Sequence, residues 1–218
     1  MTPTERQELF TRIYRNNEWK GKQSRSGPGS DPEQIDVIKH GLEFIFRHLS
    51  IATITILDIP CGDFSLFRGS VLNNIRYIGA DIVPELVEEN NVSFHRSPKY
   101  RFLVKDILTD SLPEANVVVC RDCLPHFSYE DIWQALKNVC RTKASYLITT
   151  TFFTHQNADI ETGGWRPLNL QAAPFNFPAP EICLSEQCTL ADGKFADKSL
   201  GVWRLENIRP CVYGELPK

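Results

Sequence analysis

At 218 residues, with 42% hydrophobic and 23% charged side chains, the chain suits one α/β domain with appendages and excludes a disordered or fibrous protein. Its 24 basic and 27 acidic residues leave a net charge of −3, so the overall charge supplies no footprint for nucleic acid. No apolar run approaches the ~20 residues that span a bilayer, the N-terminus is polar, and seven cysteines in a chain this long read as free thiols of a reducing, cytoplasmic compartment.

Residues 4–14 place Leu9, Phe10, Ile13 and Tyr14 at helical spacing, with Thr4 as the cap. Trp19 and the run Ser24-Arg25-Ser26-Gly27-Pro28-Gly29-Ser30 follow. The glycines and serines suit a mobile linker, but a linker has little need of Trp19. The alternative is a flap that closes over a ligand. Residues 1–30 are therefore expected to be an N-terminal helix and flap, and 31–218 the main domain. Ser30 is expected to cap a helix with Pro32 in its first turn, buried along Ile35, Ile38, Leu42, Ile45, Phe46 and Leu49.

The apolar residues Ile54, Ile56 and Leu57 then lead into Asp58 and the turn Pro60-Cys61-Gly62. Such runs suit a strand buried on both faces. A helix is expected over 64–72, strands over 76–82, 100–106 and 115–120, and a helix over 129–139 capped by Ser128. A strand at 145–153 and a terminal strand at 199–208 complete the pattern. Strands alternating with helices imply right-handed βαβ units and a parallel sheet. The stretch 154–190, rich in Pro, Asn and aromatics, interrupts the alternation. An insertion this long is functional or disordered, and its aromatics argue against disorder.

Four successive strands present an acid at or just past the carboxyl end: Asp58, Asp81, Asp106 and Asp122. Open α/β sheets bind ligands there, although Asp is also common in strand-end turns for local reasons. A carboxylate such as Asp81 can accept from two vicinal hydroxyls. A nicotinamide enzyme would need Gly-x-Gly-x-x-Gly after the first strand; those glycines are missing, and Pro60 and Phe64 would hinder a pyrophosphate.

The run Leu57-Asp58-Ile59-Pro60-Cys61-Gly62-Asp63-Phe64 resembles the first motif of the class I S-adenosylmethionine (SAM) methyltransferases, apolar-apolar-Asp-x-Gly-x-Gly-x-Gly. Only the middle glycine is kept, with Pro60 and Phe64 at the other two positions. The resemblance covers roughly residues 30–208. It implies a Rossmann-like three-layer α/β sandwich, a mostly parallel seven-stranded sheet with helices on both faces, and SAM as cofactor. It implies Asp58, Pro60, Cys61, Gly62 and Asp63 around the methionine moiety, with helix capping as the alternative role of Asp63. Asp81 and Ile82 would meet the ribose, and Asp106 and Ile107 the adenine. Arg121, Trp19 and Ser26 complete the expected cofactor contacts.

For the transfer itself, His126 is the natural general base, His155 the second candidate, and Asp122 the residue that orients either one. Cys120-x-x-Cys123 has redox or zinc spacing, but no second pair accompanies it, and no metal is expected. The Asp/Asn-Pro-Pro-Tyr/Phe run of amino-methylating nucleic acid enzymes is absent from this region. In the insertion, Trp165, Phe175 and Phe177 can build an apolar wall, while Asn157, Asp159, Arg166 and Asn169 can hydrogen-bond a polar acceptor. The alternative is a loop packed on the sheet edge. The pieces Asn16-x-x-Trp19, Ser24 to Ser30 and Trp165-Arg166-Pro167-Leu168-Asn169 are similar to small methyltransferases that modify surface glycans or metabolites. The expected function is SAM-dependent O-methylation of a small polar or glycan-type acceptor. The alternatives are a protein side-chain methyltransferase and a non-catalytic SAM-binding partner subunit.

Overall fold

The computed structural model describes residues 1–49, 53–69 and 75–214. The apolar runs form β1 (Ile54–Asp58), β2 (Ile75–Asp81), β3 (Tyr100–Val104), β4 (Val117–Cys120) and β5 (Tyr146–Phe152). Two further strands, β6 (Ile182–Ser185) and β7 (Lys198–Arg204), complete one sheet in the order β3-β2-β1-β4-β5-β7-β6. The first five pair in parallel, whereas β7 runs antiparallel to both β5 and β6. The sheet is thus mixed. β6 and β7, consecutive in the chain and antiparallel neighbours, are joined directly without a crossover helix.

Every residue of β4 and β5 is buried, so the sheet centre is covered on both faces. Strand order reverses between β1 and β4, which places a crevice outside their carboxyl ends. That crevice holds the site.

The helices are α1 (Pro3–Arg15), α2 (Pro32–His48), α3 (Pro84–Phe94), α4 (Tyr129–Cys140) and α5 (Leu205–Tyr213). Thr2, not Thr4, caps α1: its hydroxyl accepts from the Glu5 amide at 3.2 Å, and Glu5 accepts from the Thr2 amide at 2.7 Å. Asp31, not Ser30, takes the cap position of α2. Its carboxylate instead accepts from the amides of Lys22, Gln23 and Ser24 at 3.2, 2.8 and 3.1 Å, folding the preceding segment back on the helix. The stripe from Ile35 to Phe46 is buried as its spacing predicts. Ser128 caps α4 by accepting from the Asp131 amide at 3.2 Å.

Three elements differ from expectation. Phe64–Gly69 form turns rather than a helix, and residues 70–72 lie outside the described residues. Phe64 adopts φ +62° and is fully buried among Tyr77, Phe94, Tyr100 and Phe102 at ring-centroid distances of 4.7–5.2 Å. Aromatic packing holds it in a conformation that no α-helix uses. The terminal strand ends at Arg204 and continues as α5, and the insertion contains β6.

Candidate functional site

The crevice opens into a cavity at the carboxyl ends of β1, β2 and β4, the usual place for a ligand of an open α/β sheet. All 12 residues expected around a cofactor line it: Asp58, Pro60, Cys61, Gly62, Asp63, Asp81, Ile82, Asp106, Ile107, Arg121, Trp19 and Ser26. Asp122 and His126 line it too, as do Phe10 and Tyr14 of α1.

Asp58 and Asp81 end neighbouring strands and are 2% and 6% exposed. Asp58 accepts from the Tyr77 hydroxyl at 2.7 Å. Asp81 accepts from backbone amides, Gly62 at 3.1 Å and Val83 at 3.0 Å. Among the described residues neither acid has an ion-pair partner within 4 Å. Burial therefore dominates, pushing the carboxyl of Asp58 up to about 7 and that of Asp81 to about 6. Asp106 differs. Arg6 of α1 donates to its Oδ2 from Nη2 and Nε at 2.6 and 3.0 Å, while Leu108 N donates to Oδ1 at 2.9 Å. Asp63 accepts from the Ser65 amide at 3.1 Å, capping a local turn rather than a helix.

Residues 19–31 press on the same turn. Gly62 adopts φ +53°, and a Cβ there would lie 2.9 Å from Ser26 Oγ. Just beyond β4, a network joins four charges, with Arg121, Glu186 and Lys198 buried and Asp122 half-buried. Arg121 donates to Glu186 at 2.8 Å and to the Gly29 carbonyl at 2.8 Å, and lies 3.4 Å from Asp122. Lys198 of β7 bridges Asp122 at 2.7 Å and Glu186 at 3.1 Å. Burial works against the Arg121 charge, but Glu186 and Asp122 hold it firmly protonated. Burial likewise opposes ionisation of Asp122, yet Lys198 and Arg121 hold its carboxyl well below the usual range. Arg121 thus spends its guanidinium on this network and on the backbone of the N-terminal segment.

His126 ends the short turn after Cys123. Its Nδ1 lies 2.9 Å from the Gly164 carbonyl. A carbonyl only accepts, so Nδ1 carries the hydrogen and the neutral ring leaves Nε2 as an acceptor. Burial lowers the ring to about 4, and Trp19 packs against it at a 37° tilt, 4.5 Å between centroids. The residue that orients His126 is therefore Gly164, not Asp122.

His155 does not reach the cavity; its Nδ1 pairs with Asp197 at 3.2 Å on the antiparallel side of the sheet. The five residues expected to bind an acceptor do not line the cavity either. Arg166 donates to the carbonyls of Leu124, Pro125, Phe127 and Ala158. Asn157 and Asn169 tie the insertion to itself and to Phe153, and Asp159 accepts from the Tyr129 amide at 2.8 Å. Trp165 packs on Phe152 and Phe195 while remaining 42% exposed. Phe175 and Phe177 are core residues against Trp133 and Trp203. The insertion is packed on the sheet edge, and it serves the cavity through the backbone that holds His126.

Arg6, Glu186 and Lys198 were not foreseen. Each is a lone charge far along the chain from its partner, and no spacing rule marks it. Among the described residues no cluster of His, Cys, Asp or Glu suits a metal, and no helix is long and apolar enough to cross a membrane.

No known protein family and no curated protein matches the sequence. Solved structures do match the fold. Human N-acetylserotonin methyltransferase in complex with SAM is 14% identical, with a TM-score of 0.61 over 90% of this chain and 59% of that one. PigF with S-adenosylhomocysteine (SAH) is 15% identical, with a TM-score of 0.61 over 90% and 62%. An O-methyltransferase family 2 protein from Planctomyces limnophilus, complexed with apigenin, is 13% identical, with a TM-score of 0.51 over 69% and 50%. The chain spans less than two thirds of each of these proteins. At such identities the likeness is one of architecture: the chain carries the class I SAM methyltransferase fold.

Proposed function

We propose that the chain is a SAM-dependent methyltransferase acting on a hydroxyl of a small acceptor. The observation that carries this is the pair Asp58 and Asp81, two buried carboxylates on one cavity that, among the described residues, have no ion-pair partner within 4 Å. An uncompensated buried carboxylate is costly, so such a cavity favours a cationic ligand rich in hydrogen-bond donors. SAM fits that demand. Its ammonium belongs near Asp58 and the Gly62 turn, its ribose hydroxyls on Asp81 beside Ile82, and its adenine along Ile107 near Asp106. Pro60, Cys61 and Asp63 shape the methionine end. Trp19 and Ser26 act as the flap that covers the ligand, and Arg121 anchors that flap through Gly29.

When bound, SAM supplies an electrophilic methyl group on sulfur. The chain's own part is positioning and proton removal. His126, held by Gly164, presents Nε2 to the acceptor hydroxyl. Asp122 keeps a fixed negative charge beside it and favours the imidazolium that forms.

The insertion's polar residues are committed to backbone groups, so a glycan acceptor loses the support that their composition gave it. An acceptor on a folded protein would have to displace the N-terminal segment. Calorimetric titration with SAH, beside an Asp81→Ala variant, tests the proposal. Micromolar binding that the variant weakens by ~1–3 kcal/mol, the cost of losing a charged acceptor, is the expected result. A folded protein that does not bind SAH overturns it.

A further inference from the structure

Resting on that methyl-transfer reading, we infer that the acceptor is a small, uncharged hydroxylated aromatic, a phenol, held by Trp19, Phe10 and Phe127 with its hydroxyl on His126 Nε2. The first reason is the walls of the cavity around His126. Trp19 packs at a tilt against the imidazole, Phe10 lies 6.2 Å from Trp19, and Phe127 lies 5.8 Å from Phe10. All three rings line the cavity, and offset or edge contacts between such rings and a planar ligand are favourable beyond the area they bury.

The second reason is enclosure. A Cβ on Gly29 would stand 2.5 Å from Asp122 Oδ2, so the N-terminal segment closes tightly over this side of the cavity. Arg121 holds the Gly29 carbonyl at 2.8 Å and Asp31 holds three amides of the same segment. A polymeric acceptor entering on this side would have to undo these contacts.

Charge gives the third. Of the acids lining the cavity, Asp106 is paired with Arg6 and Asp122 with Lys198, which leaves Asp58, Asp63 and Asp81 against Lys105, since Arg121 is spent on Glu186. The acidic surplus disfavours a carboxylate or phosphate on the acceptor. The amides and guanidinium of the insertion do not serve a polyol there, since Asn157, Asn169 and Arg166 bond to backbone elsewhere.

The strength of the base agrees. Buried His126 is a weak base, lowered to about 4. A phenol ionises near pH ~10, whereas a water-like hydroxyl does so near ~15.7. Each pH unit costs about 1.4 kcal/mol, so the phenolic proton is far easier for this imidazole to take. As the phenolic oxygen bonds to the methyl carbon, the carbon–sulfur bond breaks with its electron pair left on sulfur. The hydroxyl proton passes to His126 Nε2 and from there to solvent.

The test uses the full chain saturated with SAH and titrated calorimetrically with 4-methylphenol, catechol and 2-naphthol, beside methyl glucoside and 2-phenylethylamine. The same compounds are then offered with methyl-labelled SAM, and the products are identified by mass spectrometry. Binding and O-methylation of a phenol, with little or none for the glucoside and the amine, is the expected result. Phe127→Leu should raise the KM for the phenol about tenfold, about 1.4 kcal/mol, while changing the Kd for SAH less than twofold. If SAH binds but no phenol does, or if the glucoside or the amine is the better substrate, the inference is overturned and the cofactor reading stands. If a folded chain does not bind SAH, both fall together.

Discussion

Arg6 and Asp106 stand 100 positions apart, and the guanidinium donates twice to one oxygen of the carboxylate at 2.6 and 3.0 Å. Both are buried. The pair fastens α1 beyond the end of β3, and α1 in turn carries Phe10 and Tyr14 into the cavity. Removing one partner of a buried pair leaves the other charge uncompensated, at about 3–5 kcal/mol. Arg6→Met should therefore lower the unfolding free energy by about 3 kcal/mol in a urea titration. Arg6→Met/Asp106→Asn should recover part of the loss, because the amide carries no charge and can still accept from Leu108. A single variant no more disruptive than a surface change, within about ±0.5 kcal/mol, would show that the pair is not what holds α1.

The acids of the cavity give a pH dependence of definite sign. Folding raises the carboxyl of Asp58 from 3.8 to about 7 and that of Asp81 to about 6. Groups raised in this way stabilise the fold fully below pH ~4 and lose that contribution as the pH rises through the folded value. His126 acts in the opposite sense. Its ring is lowered from 6.5 to about 4, so its contribution is present above pH ~6.5 and is lost as the pH falls through 4. The wild-type profile is the sum of these, and the informative quantity is a difference. For Asp58, the rise to about 7 corresponds to about 4 kcal/mol at most, at 1.4 kcal/mol per pH unit. Asp58→Asn should gain stability relative to wild type as the pH rises from about 4 to about 7, measured by thermal unfolding. SAM binding should strengthen over the same window, with protons released on binding. A stability difference that does not change with pH would mean that Asp58 is not a buried, protonatable acid.

Much of this was legible in the sequence because strand ends are. Asp58 and Asp81 follow β-branched apolar runs, and a parallel sheet brings such ends together whatever lies between them. Ser128 and the α2 stripe likewise obey local rules of capping and periodicity. Phe64 illustrates where those rules fail. Its neighbours suggest a helix start, but four aromatic rings from β2, α3 and β3 fix its backbone, and none of them is local in sequence. Arg166 and Asn169 show the same limit. A polar side chain in a long insertion is equally suited to a ligand or to a backbone carbonyl. Only the folded chain shows the carbonyls of Leu124, Pro125 and Phe127 gathered under one guanidinium.

His126 carries a prediction that separates chemistry from binding. His126→Gln keeps a side-chain amide able to donate to the Gly164 carbonyl but provides no base. Loss of a positioned general base costs about 10²–10⁴-fold, so kcat should fall at least about 100-fold while the Kd for SAH stays within about twofold. The wild-type kcat should show no inflection near the ordinary imidazole value, since burial lowers the ring to about 4. A variant that retains kcat would leave positioning alone as the chain's contribution to transfer.

Gly29 tests whether the N-terminal segment covers the ligand. An alanine methyl there would meet Asp122 Oδ2 at 2.5 Å, with Lys198 Nζ at 3.2 Å and Arg121 Nη2 at 3.4 Å. Those atoms belong to a network that cannot yield cheaply, because each charge in it neutralises another. The segment must move instead, and the bond from Arg121 to the Gly29 carbonyl weakens with it. Gly29→Ala should thus reduce SAH affinity about tenfold, about 1.4 kcal/mol, with only a small change in Tm because the network itself survives. Faster SAH dissociation in stopped-flow should account for most of the change, since a displaced cover opens the way out. Unchanged affinity and off-rate would mean that residues 19–31 rest beside the cavity without closing it, and the enclosure on which a small acceptor depends would be lost.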